Sequence, residues 1–529
     1  MGVLCDSRSS CPHFFGRAMD ISSRQSAIIL FILVAVSLLF RFDGMVESIW
    51  YDEVYRTKAI YFERSIWKIL FVDCHNFLYN ALMHIWIHIF GDSEVLIRIP
   101  SLVMGYSSAL IMQKWIADRW GRLFSVLIFA WFIFSPFHIW YSTEAKNNAM
   151  VMLFTVLIFV SYDALIARPD SRSSNAAIAA SVLGIYTDFL LFFPILASWI
   201  LLYADGVRKH DVALAGIYRR IMLRTLVLVA PIVIYKAIII EILFRSYLKF
   251  LNFQQLLLFL GDYLVSGNAV MPIDTNNFVF NAHDIFTALF YVSSILLVLI
   301  CIVSGSKWLI ANSGSQIVVY FLVPIVIIML LSLYMHLTGR RQVYLERSLA
   351  SVTFYFFGIM LFSGVRLLPT GWMQKLVVVF FVMLNIFASS LMLTVHKADW
   401  TVYKPNPDWK SASSYVLKED ANFSSSIIVG TSPLNALQYY MARSFNGNND
   451  MFRLDSNQNS RFVSWDSSSN RDFVDVAKSK HALFAYIVRN VYWPVQIDNL
   501  LQQVDADTRV KLVDQRSFFG IELYKYQIL

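Results

Sequence analysis

The residues best suited to chemistry are two adjacent carboxylates, Asp52 and Glu53, in SIWYDEVYR at 48–56, directly after the first long apolar run. Anions this close to hydrocarbon are costly, so they come with a partner, a solvated cavity or a catalytic role; the bland alternative is a solvated pair of loop acids. A further carboxylate, Glu144, sits between apolar runs with Lys146 two residues on, where an ion pair with Lys146 or a helix cap is the structural alternative to chemistry. Late in the chain Arg340, Arg341 and Arg347 fall on the side of the membrane where cations are usually scarce. A phosphate at the membrane surface would account for them, and for Arg340 and Arg341 so would anchorage to lipid headgroups. His84 and His88, four apart, could bind a divalent metal, but such a pair is more often the polar face of an interfacial helix.

What must position these residues is a membrane scaffold. Hydrophobic residues make up 57% of the chain and charged ones 15%, with mean hydropathy +0.56, a balance soluble domains rarely reach. The formal charge of +8 is the excess of Lys and Arg expected in cytoplasmic loops, so no nucleic-acid partner is implied. Cys5, Cys11, Cys74 and Cys301 show neither metal spacing nor a disulfide framework.

The apolar run at 26–40 follows Arg8, Arg17 and Arg24 and has no small-residue cleavage site after it, so it is read as a retained first span with a cytoplasmic N-terminus. Further spans are expected at roughly 95–113, 123–141, 147–166, 225–244, 284–303, 316–336, 348–363 and 376–395. The stretch 175–203 is long for one helix and short for two, with Thr187-Asp188 at its middle. Reading it as a hairpin keeps Lys114, Arg119, Arg122, Arg168, Arg172, Arg208, Lys209, Arg219, Arg220, Arg224, Arg366 and Lys375 on one side of the membrane. That gives about eleven spans and an extracytoplasmic C-terminus.

Two apolar stretches have interfacial patterns instead. At 51–70 Tyr51, Tyr55, Ala59, Phe62, Ile66 and Ile69 recur at helical spacing, and at 77–90 Asn80, His84 and His88 form a polar stripe. Both surface helices belong to the first extracytoplasmic loop, about 42–94. The expected architecture is thus an all-α polytopic domain over 1–395 and a small extracytoplasmic α/β domain over 396–529, opening with the turn-rich Lys404-Pro405-Asn406-Pro407. Helical patterns at 408–418 and 433–443 alternate there with strand-like runs at 427–430, 482–488 and 519–526. No glycine-rich phosphate loop occurs, so a soluble nucleotide donor is not supported.

In its order of features the chain resembles the GT-C fold glycosyltransferases that use polyprenyl-phosphate sugars, such as the bacterial lipid A aminoarabinose transferases and the protein O-mannosyltransferases. WYDE at 50–53 matches their acidic pair in the first extracytoplasmic loop. DCHNFLY at 73–79 resembles their His-Pro-Pro-Leu-Tyr, IRIPSLVMG at 97–105 their Arg-Leu-Pro-Ser followed by Gly, and YSTEAK at 141–146 their Ser-Gln-Glu-Ala-Arg. IYTDF at 185–189, YLERSLA at 344–350 and PDWKSASSYV at 407–416 continue the series to the tail. No single motif is specific; seven in order span most of the chain. Asn76-Phe77 stands where the family has two prolines, Lys146 where it has Arg, Asp188 where it has His, and Ser348 where it has Tyr.

The resemblance implies an enzyme of the bacterial inner membrane that moves a sugar from a polyprenyl-phosphate carrier to an acceptor hydroxyl on lipid A, polysaccharide, another lipid or a protein, with inversion. It casts Asp52 as the base, Glu53 as support for acceptor or metal, and Glu144 as the second acid. Arg347, Arg341, Arg340, Lys146, His75 and Arg98 are the candidates for the donor phosphate. Some relatives carry a divalent ion beside the first-loop acids; Asp52 and Glu53 with His75 or His283 could supply ligands, though no spacing here demands a metal. A lipid or sugar transporter would show internal repeats and mid-membrane charges. An oligosaccharide polymerase or ligase would have a large late loop and lack acid-bearing surface helices.

Overall fold

The computed structural model describes residues 21–50, 53–54, 76–243, 264, 273–274, 279–280, 285–312, 314–339, 346–365, 371–394, 406–421, 423–430, 434–444, 461–465, 472–490 and 495–529. The chain divides into two compact units. The first comprises Met1–Gly44, Asp73–Tyr79 and Arg98–Lys404, the second Met45–Val72, Asn80–Ile97 and Pro405–Leu529.

The first unit is helical. Its described helices are α1 (Ser23–Leu39), the start of α2 (Phe42–Val46) and of α3 (Phe77–Phe90), most of α4 (Glu94–Trp120), α5 (Arg122–Phe134), α6 (Pro136–Thr143), α7 (Asn148–Ala167), α8 (Ser171–Thr187), α9 (Phe192–Lys209), α10 (Val212–Leu243), α11 (Ile285–Ala311), α12 (Ser315–Leu337), α13 (Glu346–Val365) and α14 (Gly371–Thr394). Among the described residues five segments are long and apolar enough to cross a membrane: Glu94–Trp120, Asn148–Ala167, Phe189–Lys209, Ser315–Leu337 and Gly371–Ser390. The pair α5 and α6 makes a sixth if taken as one span. The protein is a multi-pass membrane protein.

Three features of this unit follow from local sequence. The stretch at 175–203 forms two helices joined by a 3-10 turn at Phe189–Leu191, which Asp188 caps by accepting from the Leu190 amide at 2.9 Å. The span expected over 123–141 is instead broken at Ser135, where α5 and α6 meet at 60°. Pro136 explains the break, because it has no amide to give the preceding turn. Finally α11 and α13 cross backbone to backbone. A Cβ on Gly305 would strike the Met360 carbonyl and one on Gly364 the Cys301 carbonyl, so only glycine permits this approach.

The second unit combines first-loop residues with the tail. Its helices α15 (Trp409–Glu419), α16 (Asn435–Ser444), α17 (Phe473–Ser479) and α18 (Val495–Asp505) surround a sheet of β1 (Ser426–Gly430), β2 (Phe462–Ser464), β3 (Phe484–Asn490), β4 (Val510–Phe518) and β5 (Ile521–Ile528), in the order β2-β1-β3-β5-β4. β1 runs parallel to β2 and β3, pairing Ile428 with Phe462 and with Tyr486. β5 runs antiparallel to β3 and β4, and its turn from β4 turns at Gly520 with φ +71°. Alternation along the strands sends Ile427, Val429, Ala485 and Ile487 to one face, where Val474, Ala477, Leu500 and Val504 of α17 and α18 close the core.

Candidate functional site

In the first unit the structure builds around the turn that follows α6. At the α5–α6 break the Ile133 carbonyl takes no part in a continuing helix and accepts instead from Nη2 of Arg41 at 2.9 Å. The same guanidinium donates through Nη1 to the Ser37 carbonyl near the end of α1 and through Nε to the Ser142 hydroxyl of α6, both at 2.9 Å. Nη2 also meets His138 Nδ1 at 2.8 Å, while the other ring nitrogen of His138 lies 3.1 Å from the Gly105 carbonyl of α4. Arg41 is fully buried, 1% exposed, and packs over the Tyr106 ring at 4.8 Å. A cation at the C-terminal ends of both α1 and α5 satisfies their last carbonyls and opposes both helix dipoles, which is what makes it tolerable there.

α6 then delivers Glu144 as its C-cap in extended conformation, φ −98° and ψ 131°. The Lys146 amide donates to the Glu144 carbonyl at 2.8 Å, closing a tight turn over buried Ala145. Two side chains hold the turn from outside: Asn147 Nδ2 donates to Asp188 at 2.6 Å, and the Ser101 hydroxyl, itself 3.1 Å from Tyr79 OH, donates to the Lys146 carbonyl at 3.3 Å. Arg98 is buried on α4, one turn before Ser101. Among the candidates this unit therefore brings Glu144 and Lys146 into one turn and places Arg98 on the helix whose Ser101 holds that turn. Arg347 lies on α13 with its side chain outside the described residues, as are Arg340, Arg341 and His75.

In the second unit Glu53 is fully buried, and its Oε2 accepts from the Trp50 amide at 2.8 Å. That is the reach-back of a capping-box acid, and the Val54 amide donates to the Trp50 carbonyl at 3.0 Å. Asp52 and the remainder of the expected surface helix at 51–70 lie outside the described residues; the second surface helix is present as α3. On α3 the rings of His84 and His88 lie 4.2 Å apart, and His88 Nδ1 donates to the His84 carbonyl at 2.7 Å, which spends that nitrogen within the helix. Among the described residues no three His, Cys, Asp or Glu side chains group so as to hold a metal ion. Asp52, His75 and His283 are outside that set.

Sequence reasoning missed Arg41, His138 and the bracing of the Glu144 turn by Asp188. Two signals were present: a lone arginine directly after an apolar run, and a proline inside an expected span.

The fold is that of the GT-C membrane glycosyltransferases. ArnT from Cupriavidus metallidurans in its apo state is similar with a TM-score of 0.58 at 12% identity, over 95% of this chain and 98% of that one. ArnT from the same organism bound to undecaprenyl phosphate gives 0.53, also at 12% identity, over 94% and 97%. No family model matches the sequence, and no curated protein matches it.

Proposed function

We propose that the protein is a membrane glycosyltransferase that moves a sugar from a polyprenyl-phosphate carrier to an acceptor hydroxyl at the periplasmic face of the bacterial inner membrane. The observation that carries this reading is the near end-to-end likeness to ArnT, an aminoarabinose transferase, one of whose structures holds undecaprenyl phosphate. The motifs from WYDE at 50–53 to PDWKSASSYV at 407–416 run along the chain in the order of that family's.

Glycosyl transfer requires a base for the hydroxyl proton, an electrophilic sugar carbon and neutralisation of the departing phosphate. In the proposed step the acceptor proton passes to Asp52, the acceptor oxygen bonds to the anomeric carbon, and the bond from that carbon to the phosphate oxygen breaks, leaving its electron pair on the lipid phosphate. One displacement inverts the anomeric centre. Glu53, whose Oε2 accepts from the Trp50 amide, supports the acceptor, and Glu144 orients acceptor or sugar hydroxyls. Arg347, Arg341, Arg340, Lys146, His75 and Arg98 receive the phosphate; Lys146 contributes charge without the planar fork of arginine.

The test is transfer by the complete protein from undecaprenyl-phosphate-linked sugars after Asp52→Asn. A loss of roughly 10²- to 10⁴-fold with an unchanged elution profile is expected; full activity would remove the base.

A further inference from the structure

On the side of the first unit read as cytoplasmic, several cations already have a carboxylate. Lys114 pairs with Asp118 at 3.6 Å, Arg119 with Asp163, and Lys209 and Arg208 with Asp205 at 2.8 and 3.5 Å. Arg219, Arg220 and Arg224 of α10 are exposed and, among the described residues, pair with none. The rule that puts cations on that side of a membrane asks only for their number. It does not ask for a group held open on one helix face.

Helical geometry gathers the three. Successive residues turn by about 100°, so Arg219, Leu223, Val227, Arg220 and Arg224 share one arc of about 140°, while Leu214, Tyr218, Ile221 and Thr225 are buried on the opposite side. Leu223 is 50% and Val227 71% exposed, so this face turns apolar within about one turn, 5.4 Å, of the arginines. The hairpin with α9 holds the face in place. Tyr218 OH, next to Arg219, donates to buried Asp205 of α9 at 2.9 Å. Arg220 Nε donates to the Gly216 carbonyl at 3.3 Å, which lays that guanidinium along the helix and leaves its terminal nitrogens to a ligand. A Cβ on Gly216 would meet nothing within 4 Å, so the space over that turn is open.

We propose that this face of α10 is a headgroup site for an anionic phospholipid, with Arg219, Arg220 and Arg224 on its phosphate and Leu223 and Val227 along its acyl chains. Charge complementarity sets the occupant. Three guanidiniums without a carboxylate from the chain call for anionic oxygens, and the apolar residues beside them require that anion to carry hydrocarbon. A soluble phosphate satisfies only the first condition. The arginines carry the site, because the first turn of α10 is already capped by Asp211, which accepts from the Leu214 amide at 3.0 Å. The site asks nothing of the glycosyl transfer step.

The experiment titrates the full chain in detergent micelles with phosphatidylglycerol, and with phosphatidylcholine of the same acyl chains, and counts bound lipid by native mass spectrometry. At roughly fivefold per arginine, wild type should prefer phosphatidylglycerol by about twentyfold or more and Arg219→Gln/Arg224→Gln by no more than about fivefold. Lys114→Gln/Lys375→Gln removes as much charge from the same side on α4 and α14, and should keep the wild-type preference. Arg219→Lys/Arg224→Lys keeps the charge that orients the chain in the membrane, so it decides the matter if the glutamine variant does not fold. Loss of the planar fork should lower its preference about threefold or more. Excess glycerol 3-phosphate should leave the bound lipid in place. No preference in wild type, an unchanged preference in the lysine variant, an equal loss in Lys114→Gln/Lys375→Gln, or displacement by glycerol 3-phosphate would each overturn the proposal.

Discussion

Replacing Arg41 by lysine preserves the charge and most of the length, and on a surface it would pass unnoticed. Here the guanidinium supplies four contacts in fixed directions, to Ser142, Ser37, Ile133 and His138. A lysine ammonium is a compact donor at a single point and cannot reach acceptors spread around a planar fork. At least two of the four lose their partner. Each buried acceptor left unmet costs about 1–3 kcal/mol, giving about 2–6 kcal/mol, with no offset because the buried charge remains. At about 2 °C per kcal/mol for a large unit, the apparent Tm in detergent should fall by roughly 4 °C or more, compared at one scan rate because unfolding will be irreversible. The transfer rate should fall as well, since α6 carries Glu144 at its end. A lysine variant within about 1 kcal/mol of wild type would refute the claim that Arg41 joins the ends of α1 and α5.

Two further tests address each unit separately. Gly364→Ala drives a methyl group into the Cys301 carbonyl, a clash no rotamer relieves; it should cost about 3 kcal/mol or more and cut the yield of monodisperse protein on fluorescence-detected size exclusion. A wild-type yield would contradict the α11–α13 crossing. In the tail, burial alone pushes the Asp420 carboxyl upward, but hydrogen bonds from the hydroxyls of Ser426 and Ser425 and from the amides of Ser425 and Ser424 hold it below the ordinary aspartate range. A depressed native value means that Asp420 stabilises the fold above its unfolded pKa and that this contribution disappears as pH falls through the native one. Asp420→Asn should therefore raise hydrogen exchange over 423–430 at about pH 7, with the difference fading in acid; an equal difference at both would contradict it.

Much of this architecture was legible in the residues because it rests on local rules. Apolar runs of bilayer length announced spans that the structure returns as α4, α7, α12 and α14, and charge distribution chose two helices over one at 175–203. The strand-like runs at 427–430, 482–488 and 519–526 likewise announced β1, β3 and β5. The short β2 and the exposed face of β4, with Lys511, Gln515 and Arg516 outward, carry too little pattern to be seen alone.

The sequence by itself determined the membrane class, the acidic pair and the GT-C resemblance, because composition, span length and motif order are properties of the chain as written. Only the tertiary structure decided that Arg41 closes the gap Pro136 opens, that Asp188 braces the Glu144 turn through Asn147, and that Asn406 and Tyr440 of the tail bond the Ser48 carbonyl and the Ile49 amide. These are contacts between residues tens to hundreds of positions apart. They exist because a buried carbonyl or amide must find a partner wherever folding brings one, and no local pattern in the sequence records which partner that is.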